Sequence, residues 1–421
     1  MCGTHPVWKK LMLMGIMWML MQLLSLVPAQ AKTIQFWTMN TQPQQIEAFK
    51  QLLAQFEQQN PDIKVEVQQV PWNGYKEKFL TAFQGGSPPD VSQMGTTKMA
   101  FFAGIGALLP LDDLVHGSGL RDKMFTNTWD ACTYDKRVYG VPWIVDTRIV
   151  VYRKDWFQEL GLPLPTDGWT WDDFLRAAQK INGNGRFGFA GPMSLDNRVL
   201  HNFSMLLGQN GGHFLDKTGK KAIFNSPAGI EALEFYTGLL TKHHVAPPGV
   251  INYSRTDEIK LFAAGKVGMS WQSPNDIMSI IVQAPDLKDK LGFVVTPMKK
   301  QKAGFLGGSD LVIWKSPHTD VEAAAKLIAF LASHEGQTKY CSEAQFLPAR
   351  KDAYDDPLFS SDIYRVCTQE LQYARDFPNI IQWSQIEDLI KVAVNKTAAR
   401  ITSAKQALDE AVRSADEALQ R

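Results

Sequence analysis

The segment from Val138 to Tyr152, VYGVPWIVDTRIVVY, decides the fold. Its β-branched and aromatic residues, bounded by turn residues, predict a buried strand. Asp146 and Arg148 are two residues apart, so they would share one face of that strand. Charged side chains on so apolar a strand indicate either a structural ion pair or a contact with a ligand.

On both sides of this segment, strands and helices alternate. Before it, Thr33–Thr38, Ile63–Val70 and Asp90–Met94 have strand patterns, whereas Gln44–Gln59 and Tyr75–Phe83 have helical spacing. This alternation predicts an α/β fold with a parallel or mixed sheet. After it the helical content rises, and a length of 421 residues predicts two lobes or two domains.

The composition and the motifs exclude several kinds of function. The chain has 44 basic and 43 acidic residues, which gives no electrostatic footprint for nucleic acid and favours a neutral ligand. The stretch Gly183–Gly188 fits G-x-G-x-x-G, but it follows a helix and precedes a strand, which is the reverse of a dinucleotide fingerprint. His243 and His244 have no further ligand at metal-binding spacing. We therefore expect no cofactor and no metal.

Residues 1–31 have the features of a secretory signal peptide. Two lysines precede an apolar run from Leu11 to Val27, and Ala29-Gln30-Ala31 has the small-x-small form of a cleavage site. We expect cleavage after Ala31 and a periplasmic protein. An uncleaved membrane anchor is the alternative, because the apolar run is long. The remaining cysteines are Cys132, Cys341 and Cys367, and a disulfide between the last two is the expected pairing.

Tryptophans next to polar residues indicate a carbohydrate site. A sugar ring has an apolar C–H face and a rim of hydroxyls, so it suits an aromatic ring flanked by hydrogen-bonding groups. Five tryptophans fit this arrangement with their polar neighbours: Trp37 with Asn40 and Gln42, Trp72, Trp143 with Asp146 and Arg148, Trp271 with Ser273 and Asn275, and Trp383. The alternative for each tryptophan is a place in the hydrophobic core. For Gly307-Gly308 the alternatives are a backbone contact with a ligand and a simple turn or bulge.

The order of several segments resembles a known family. These segments are FWTMN, NPDIKVEVQQVPW, GGSPPDVSQM, GALLPLDDLV, YGVPWIVDTRIVVYRKDWF, GWTWDDF, FNSPAGIEALEFY, GKVGMSW, LGGSDLVIWK and FLPARKDAYDDP. Together they are similar to the extracellular solute-binding proteins of family 1, the sugar-binding subunits of ABC importers, in the style of the maltose- and trehalose-binding branch. The resemblance runs from about Thr33 to Trp383.

The resemblance implies a two-lobed periplasmic binding protein fold, with a hinge of crossing strands and a ligand cleft between the lobes. Its implied boundaries are residues 32–142 and 300–346 for lobe 1, 143–299 for lobe 2, and 347–421 for the C-terminal helices of lobe 2. The site residues that it implies are Asn40 to Gln42, Thr96, Thr97, Asp146, Trp271, Gly307, Gly308, Arg350 and Trp383, and Asp310 belongs to the same predicted site. Thr96 and Thr97 lie where maltose-type members often carry an acid, so the sugar need not be the same.

The expected function is a monomeric, non-enzymatic receptor. It would bind a neutral disaccharide, oligosaccharide or glycoside and deliver it to the permease subunits of an ABC transporter in the inner membrane. One alternative is a secreted glycan hydrolase that uses Asp146 and a second acid across the cleft. Another is a binding module for a polyamine or a metal.

Overall fold

The computed structural model describes residues 31–72 and 74–420. Residues 1–30 of the predicted signal peptide and Asn73 lie outside this range. None of the helices within the described residues combines the length and the apolar character that crossing a membrane requires.

The described residues contain short and medium strands distributed along the whole chain. In chain order they are β1 (Lys32–Thr38), β2 (Ile63–Gln69), β3 (Val91–Gly95), β4 (Thr133–Tyr134), β5 (Arg137–Val138), β6 (Val141–Asp146), β7 (Ile149–Arg153), β8 (Phe187–Phe189), β9 (Val267–Gln272), β10 (Leu291–Val294), β11 (Gly304–Phe305), β12 (Gly307–Ile313), β13 (Leu347–Pro348) and β14 (Ala374–Arg375).

The α-helices of the described residues occupy most of the remaining chain. They are α1 (Pro43–Gln59), α2 (Tyr75–Gln84), α3 (Met99–Gly104), α4 (Asp112–Ser118), α5 (Leu120–Lys123), α6 (Thr128–Cys132), α7 (Lys154–Glu159), α8 (Trp171–Ile181), α9 (Asn197–Gln209), α10 (Pro227–Thr241), α11 (Arg255–Ala263), α12 (Pro274–Gln283), α13 (Val321–Leu331), α14 (His334–Ala344), α15 (Asp362–Leu371), α16 (Trp383–Ala398) and α17 (Ala404–Leu419). Short 3₁₀ helices lie at Thr96–Lys98, Pro248–Ile251, Pro285–Lys290, Lys351–Asp355 and Pro357–Phe359.

Local sequence signals set several of these helix ends. At the start of α8 the Thr170 side chain accepts from the Asp173 N–H while the Asp173 carboxylate accepts from the Thr170 N–H, so the two residues form a capping box. Ser226 caps α10 just before Pro227, which needs no hydrogen-bond acceptor at the first helical position. The stretch Gly183–Arg186 is a tight turn between α8 and β8, and Phe187 and Gly188 belong to β8.

Two sheets organise the molecule. The six-stranded sheet has the order β13-β6-β12-β3-β1-β2, and the four-stranded sheet has the order β10-β7-β9-β8. In the first, β1 is parallel to β2 and β3, whereas β12 is antiparallel to β3 and β6. In the second, β9 is antiparallel to β7 and parallel to β8. Both sheets are therefore mixed, in agreement with the predicted α/β class.

The segment Val138–Tyr152 does not form one strand, so that prediction is wrong. Its first half is β6 in the six-stranded sheet, and its second half is β7 in the four-stranded sheet. The chain crosses between the sheets at Thr147 and Arg148. There the Thr147 hydroxyl donates to the Phe305 carbonyl at 2.7 Å, and the Arg148 guanidinium donates to the Thr147 carbonyl at 2.7 Å. These hydrogen bonds fix the crossing in place of ladder hydrogen bonds.

Two further crossings join the sheets. The chain leaves β10 in the four-stranded sheet and enters β12 in the six-stranded sheet, and β11 lies between them and pairs with β14. After β13 the chain returns to the four-stranded sheet, where the next helix, α15, packs on β7 and β10. The predicted lobe boundary between residues 142 and 143 falls inside β6, and Leu347–Pro348 remains in the six-stranded sheet. Below, the first lobe is the part around the six-stranded sheet, and the second lobe is the part around the four-stranded sheet.

The core is rich in aromatic residues in both lobes. One large cluster runs from Phe36 and Trp143 in the first lobe to Trp171 and Trp271 in the second. A smaller cluster lies between the six-stranded sheet and helices α2 and α3, where the Trp314 ring packs on Phe79 and Phe102. These clusters form the hydrophobic cores of the two lobes.

Candidate ligand-binding cleft

Asp146 and Arg148 lie together where the first crossing meets the cleft. Arg148 Nη1 donates to Asp146 Oδ1 at 2.7 Å. Asp146 is the last residue of β6, and Arg148 lies in the crossing before β7. Arg148 Nη2 contacts His201 Nδ1 of α9 at 2.8 Å. The Asp146 side chain is 32% exposed and the Arg148 side chain is 4% exposed. Asp146 is therefore the member of the pair that a solute in the cleft can reach.

His201 is held as a neutral imidazole. Burial lowers its pKa well below the usual value, and the neighbouring charges of Arg148 and Arg198 lower this pKa further. Since a guanidinium can only donate, His201 Nδ1 is the acceptor and the proton lies on Nε2. The ring stacks on Phe305 with centroids 4.0 Å apart, which fixes its plane.

Gly307 and Gly308 bring the second crossing close to the first. Gly307 pairs with Asp146 and Gly308 with Val145 in the antiparallel ladder. Gly308 has φ +140°, and a Cβ atom there would lie 2.0 Å from the Ile144 carbonyl oxygen. This close approach requires glycine, and it places the Gly307 backbone beside Asp146.

The first lobe lines the cleft with the end of β3 and the start of α2. Trp72 is 40% exposed and packs edge-on against Tyr75, with ring centroids 5.6 Å apart. The Tyr75 ring lies against Gly95, which leaves room because it has no side chain. Thr96 and Thr97 follow at the end of β3 and are half-buried. An exposed aromatic ring and two hydroxyls are thus close together on this wall.

The second lobe meets this wall through α12 and α16. Lys98 forms an ion pair with Glu387, and Lys76 Nζ donates to Ser384 Oγ at 3.0 Å. Gln42 Nε2 donates to Asn275 Oδ1 at 3.3 Å. Burial raises the pKa of the Tyr75 hydroxyl, the Glu387 carboxylate adds to this rise, and a hydrogen bond with Thr97 opposes it. The structure is therefore a closed form in which polar groups of both lobes are in contact.

Asp310 lies in the floor of the cleft and is 2% exposed. Together with Thr96, Gly307 and Asp376 it lines a cavity of about 10 Å³. Burial raises the pKa of the Asp310 carboxyl to about 8, the nearby Asp376 carboxylate adds to this rise, and the adjacent Cys132 thiol opposes it. Among the described side chains none bonds to its Oδ2 atom. Asp310 is therefore a buried carboxyl that keeps its proton near neutral pH.

Compared with the original protein, the Asp310→Asn variant should have a higher free energy of unfolding at pH 8 than at pH 5. The carboxyl has a pKa of about 8 in the folded protein and about 4 in an unfolded chain, so the folded state binds the extra proton between these values. Its contribution to stability is present below about pH 4 and is lost as the pH rises towards 8. Between pH 5 and pH 8 the free energy of unfolding of the variant should rise, relative to that of the original protein, by on the order of a few kcal/mol. Urea unfolding of both proteins at both pH values measures this difference.

The matched control for this prediction is Asp286→Asn, since the Asp286 side chain is 75% exposed. It should change the stability equally at both pH values. A pH-independent effect of Asp310→Asn would contradict the assignment of a raised pKa.

Three of the predicted tryptophans lie in the core, which corrects the prediction that they present rings to a sugar. Trp143 is fully buried and stacks on Tyr340 with centroids 5.0 Å apart and an interplanar angle of 6°. Trp271 is 1% exposed and stacks on Phe174, and Trp383 is 1% exposed and stacks on Phe377. Their faces are covered by protein rings because their strands and helices point them into the lobes.

Other predicted contacts also have structural partners. Arg350 is 7% exposed, and its guanidinium contacts Asp352 and the Ala332 carbonyl, so its assignment to the ligand is corrected. Ser273 caps α12. Asn40 donates to the Tyr340 hydroxyl. Trp37 is half-buried and packs on Phe79 of α2.

The expected disulfide between Cys341 and Cys367 is absent. Both thiols, and that of Cys132, are free and buried. Burial raises the pKa of each thiol. They behave as small apolar side chains in the core rather than as a covalent link.

The structure adds residues to the cleft that the sequence did not indicate. His201, Tyr75, Lys98 and Glu387 come from four separate elements. Only Lys98 had a signal, because it directly follows the predicted Thr96 and Thr97. A single histidine or glutamate on an amphipathic helix has no pattern that separates a cleft position from a solvated one.

A family model for bacterial extracellular solute-binding proteins matches residues 41–338 of this chain. This match covers most of the chain, and the two-lobed architecture described above agrees with it. The chain belongs to the bacterial extracellular solute-binding protein family.

Three relatives illustrate this similarity. A solute-binding protein of an ABC transporter from Thermotoga lettingae TMO, solved with α-D-tagatose, has a TM-score of 0.85 and 29% identity over 92% of this chain and 100% of its own. Maltose-bound MalE3 of T. maritima has a TM-score of 0.81 and 27% identity over 91% and 99%. The diacetylchitobiose-binding protein DasA of Streptomyces coelicolor is 26% identical over 77% of this chain and 75% of its own length.

These comparisons confirm the predicted family and the predicted two-lobed periplasmic binding protein fold. The relatives are binding proteins and not enzymes, so the prediction of a non-enzymatic receptor is confirmed and the hydrolase alternative is not supported.

Proposed function

We propose that this protein is the sugar receptor of an ABC importer. It binds a neutral disaccharide, oligosaccharide or glycoside between its lobes and delivers it to the permease subunits. The protein acts as a monomer in the periplasm, after cleavage of residues 1–31. Relatives named for diacetylchitobiose and maltose support a saccharide as the ligand.

The observation that carries the proposal is the chemistry of the cleft. The Trp72 ring is 40% exposed and packs on Tyr75, whose ring lies against Gly95, the residue before Thr96 and Thr97. Thr96 lines one cavity with Gly307, and Gly307 pairs with Asp146, whose carboxylate is partly exposed. An aromatic face with nearby hydroxyl and carboxylate acceptors matches the apolar face and polar rim of a sugar ring. The Gly307 backbone and Asp310 complete the proposed set of contacts.

Transport requires that the ligand changes the balance between open and closed forms. A solute bound to one lobe gains the contacts of the other lobe only on closure, so it favours the closed form by its differential affinity. The three crossings allow this motion, since they connect the lobes by short segments. The permease would then recognise the closed form.

A panel of disaccharides tests the proposal. A sugar that binds should raise the melting temperature of the purified protein without being converted to product. Release of monosaccharide, or the absence of any shift across the panel, would refute a sugar receptor. Mass spectrometry of the ligand that co-purifies with the protein would identify the sugar directly.

At a fixed sugar concentration, replacing Asp146 by Ala should strongly reduce the ligand-induced rise in melting temperature while the protein stays folded. The variant loses a charge-assisted acceptor that contributes about 1.5–3 kcal/mol, which is roughly tenfold to a hundredfold in affinity. Asp286→Ala, at an exposed site in the second lobe, is the control and should bind like the original protein. Unchanged affinity in Asp146→Ala would contradict the role of this carboxylate.

A further inference from the structure

His201 of α9 contacts residues that belong to both of the first two crossings between the lobes. Its Nδ1 atom lies 2.8 Å from Arg148 Nη2 in the first crossing. Its ring stacks on Phe305 of β11, in the second crossing, with centroids 4.0 Å apart and an interplanar angle of 14°. The Phe305 carbonyl in turn accepts from the Thr147 hydroxyl. A helix of the second lobe is thus joined to both crossings through one imidazole.

The guanidinium of Arg148 connects His201 to Asp146. Its Nη1 atom donates to Asp146 Oδ1 and to the Thr147 carbonyl, both at 2.7 Å, and its Nη2 atom donates to His201. Among the described residues no atom accepts from its Nε. The guanidinium is planar and rigid, so the position of Nη2 sets the direction in which Nη1 points. Because the Arg148 side chain is only 4% exposed, water cannot readily replace the imidazole as an acceptor.

His201 suits this position because it accepts a hydrogen bond without adding a negative charge. Burial and the charges of Arg148 and Arg198 lower the pKa of the imidazole, and the smaller opposing effect of Asp276 does not reverse this. An ionised carboxylate in its place would form its own ion pair with Arg148 and compete with Asp146. The neutral ring instead holds Nη2 and leaves the positive charge of the guanidinium to Asp146.

We infer that His201 is a positioning residue that orients the ligand-binding carboxylate of Asp146 through Arg148. The inference rests on the proposed sugar-receptor function and on the sugar contact proposed for Asp146. The ion pair engages Oδ1 of Asp146 and leaves the second carboxylate oxygen for a sugar hydroxyl. His201 itself need not touch the ligand. Its contact fixes a carboxylate at the end of β6, in the first lobe, relative to a helix of the second lobe.

A double-mutant cycle tests the inference. Calorimetry measures the binding of one sugar, chosen because it raises the melting temperature, to the original protein, Asp146→Ala, His201→Leu and the double variant. Leucine is similar in size to histidine but has no acceptor, so His201→Leu should weaken binding by about fivefold to tenfold. In the Asp146→Ala background the same substitution should weaken binding by less than about twofold, since no carboxylate is left to orient.

Two other substitutions of His201 separate the acceptor from the ring. His201→Asn places an amide oxygen near the position of Nδ1, so it should restore the affinity to within about threefold of the original value. His201→Phe keeps an aromatic ring against Phe305 but has no acceptor, so it should weaken binding as His201→Leu does. Far-ultraviolet circular dichroism checks that each variant is folded, and His201→Phe takes the place of His201→Leu in the cycle if the latter is not.

Asn202→Leu is the control within α9. Asn202 Nδ2 donates to the Tyr236 hydroxyl at 2.8 Å, so this substitution removes a buried hydrogen bond of the same helix without removing a contact of Arg148. It should lower the melting temperature. Any change that it causes in sugar affinity should be the same factor in the original protein and in the Asp146→Ala background. A merely structural role of His201 would give this additive pattern too.

The outcomes distinguish this inference from the function on which it rests. If the original protein binds no sugar, the sugar-receptor function fails and the role of His201 fails with it. If Asp146→Ala binds sugar normally, the receptor function stands, but His201 has no ligand contact to orient and its role is refuted. If Asp146→Ala weakens binding while the effect of His201→Leu is absent, or equal in both backgrounds, only the role of His201 is refuted.

Discussion

Replacing Arg198 by Met should destabilise the protein by about 3–5 kcal/mol, because it removes the buried partner that Asp276 and Glu258 share and leaves Asp276 with Arg255 alone. Arg198 lies in α9 and is 3% exposed. Its guanidinium contacts Asp276 at 2.6 Å and Glu258 at 3.3 Å, and it also donates to Gln272 Oε1 at 2.7 Å. Urea unfolding measures the loss.

The pKa shifts of these acids indicate how strongly they depend on Arg198. Burial would raise the pKa of Asp276, but Arg198 and Arg255 outweigh it and hold this pKa well below its usual range. Glu258 has no such excess of positive charge, and burial raises its pKa to about 8. Asp276 should therefore lose most when Arg198 is removed.

The control for this prediction is Arg365→Met. Arg365 also forms an ion pair, with Asp362 at 3.0 Å, but its side chain is 63% exposed. An exposed pair contributes about 0–1 kcal/mol, so this variant should unfold close to the original midpoint. Equal effects of the two substitutions would show that the buried network does not stabilise the second lobe.

Replacing Gly308 by Ala should cost about 3 kcal/mol or more and should also impair ligand binding. The new Cβ atom would lie 2.0 Å from the Ile144 carbonyl oxygen, and φ of +140° is unfavourable for any residue with a side chain. The clash is with backbone, so β12 would have to move away from β6. Because Gly307 pairs with Asp146, that movement would displace the proposed sugar contact.

Gly106→Ala separates backbone strain from the steric clash. Gly106 also has a positive φ, of +72°, but a Cβ atom there meets nothing within 4 Å. It should cost about 1–2 kcal/mol and leave sugar binding unchanged. If Gly308→Ala were no worse than Gly106→Ala, the close approach of β12 to β6 would not be important for stability. Chemical unfolding and calorimetry with a binding sugar measure both quantities.

The elements of the first lobe were predictable because each has a strong local signal. The alternating pattern of Ile63–Val70 and the apolar spacing of Gln44–Gln59 agree with β2 and α1 to within a few residues. These signals depend on neighbours in sequence, which is why one sequence is sufficient for them.

The break at Thr147 was not predictable from the pattern. Val, Ile and Tyr residues occur both before and after Thr147, so the hydrophobic pattern of the sequence gives no reason to divide the segment into two strands. The division depends on the Phe305 carbonyl and the His201 ring, which approach Thr147 and Arg148 from distant parts of the chain. Tertiary contacts of this kind override the local strand pattern.

The cleft was predicted only in part, for the same reason. A tryptophan beside polar residues occurs both in a binding site and at the edge of a core. Trp143 and Tyr340 form a stack although they are far apart in sequence, and this contact turns Trp143 inwards. The pairing of Lys98 with Glu387 likewise requires the two lobes to be placed against each other.

The placement of β12 between β3 and β6 has a consequence for how the chain folds. The central position of the six-stranded sheet is filled by residues 307–313, whereas its other long strands lie before residue 147. The first lobe cannot complete its sheet until β7 to β10 of the second lobe have been synthesised, and its closing contacts have high sequence separation. We therefore expect slow folding of the first lobe, and a long interval during synthesis in which its sheet remains incomplete.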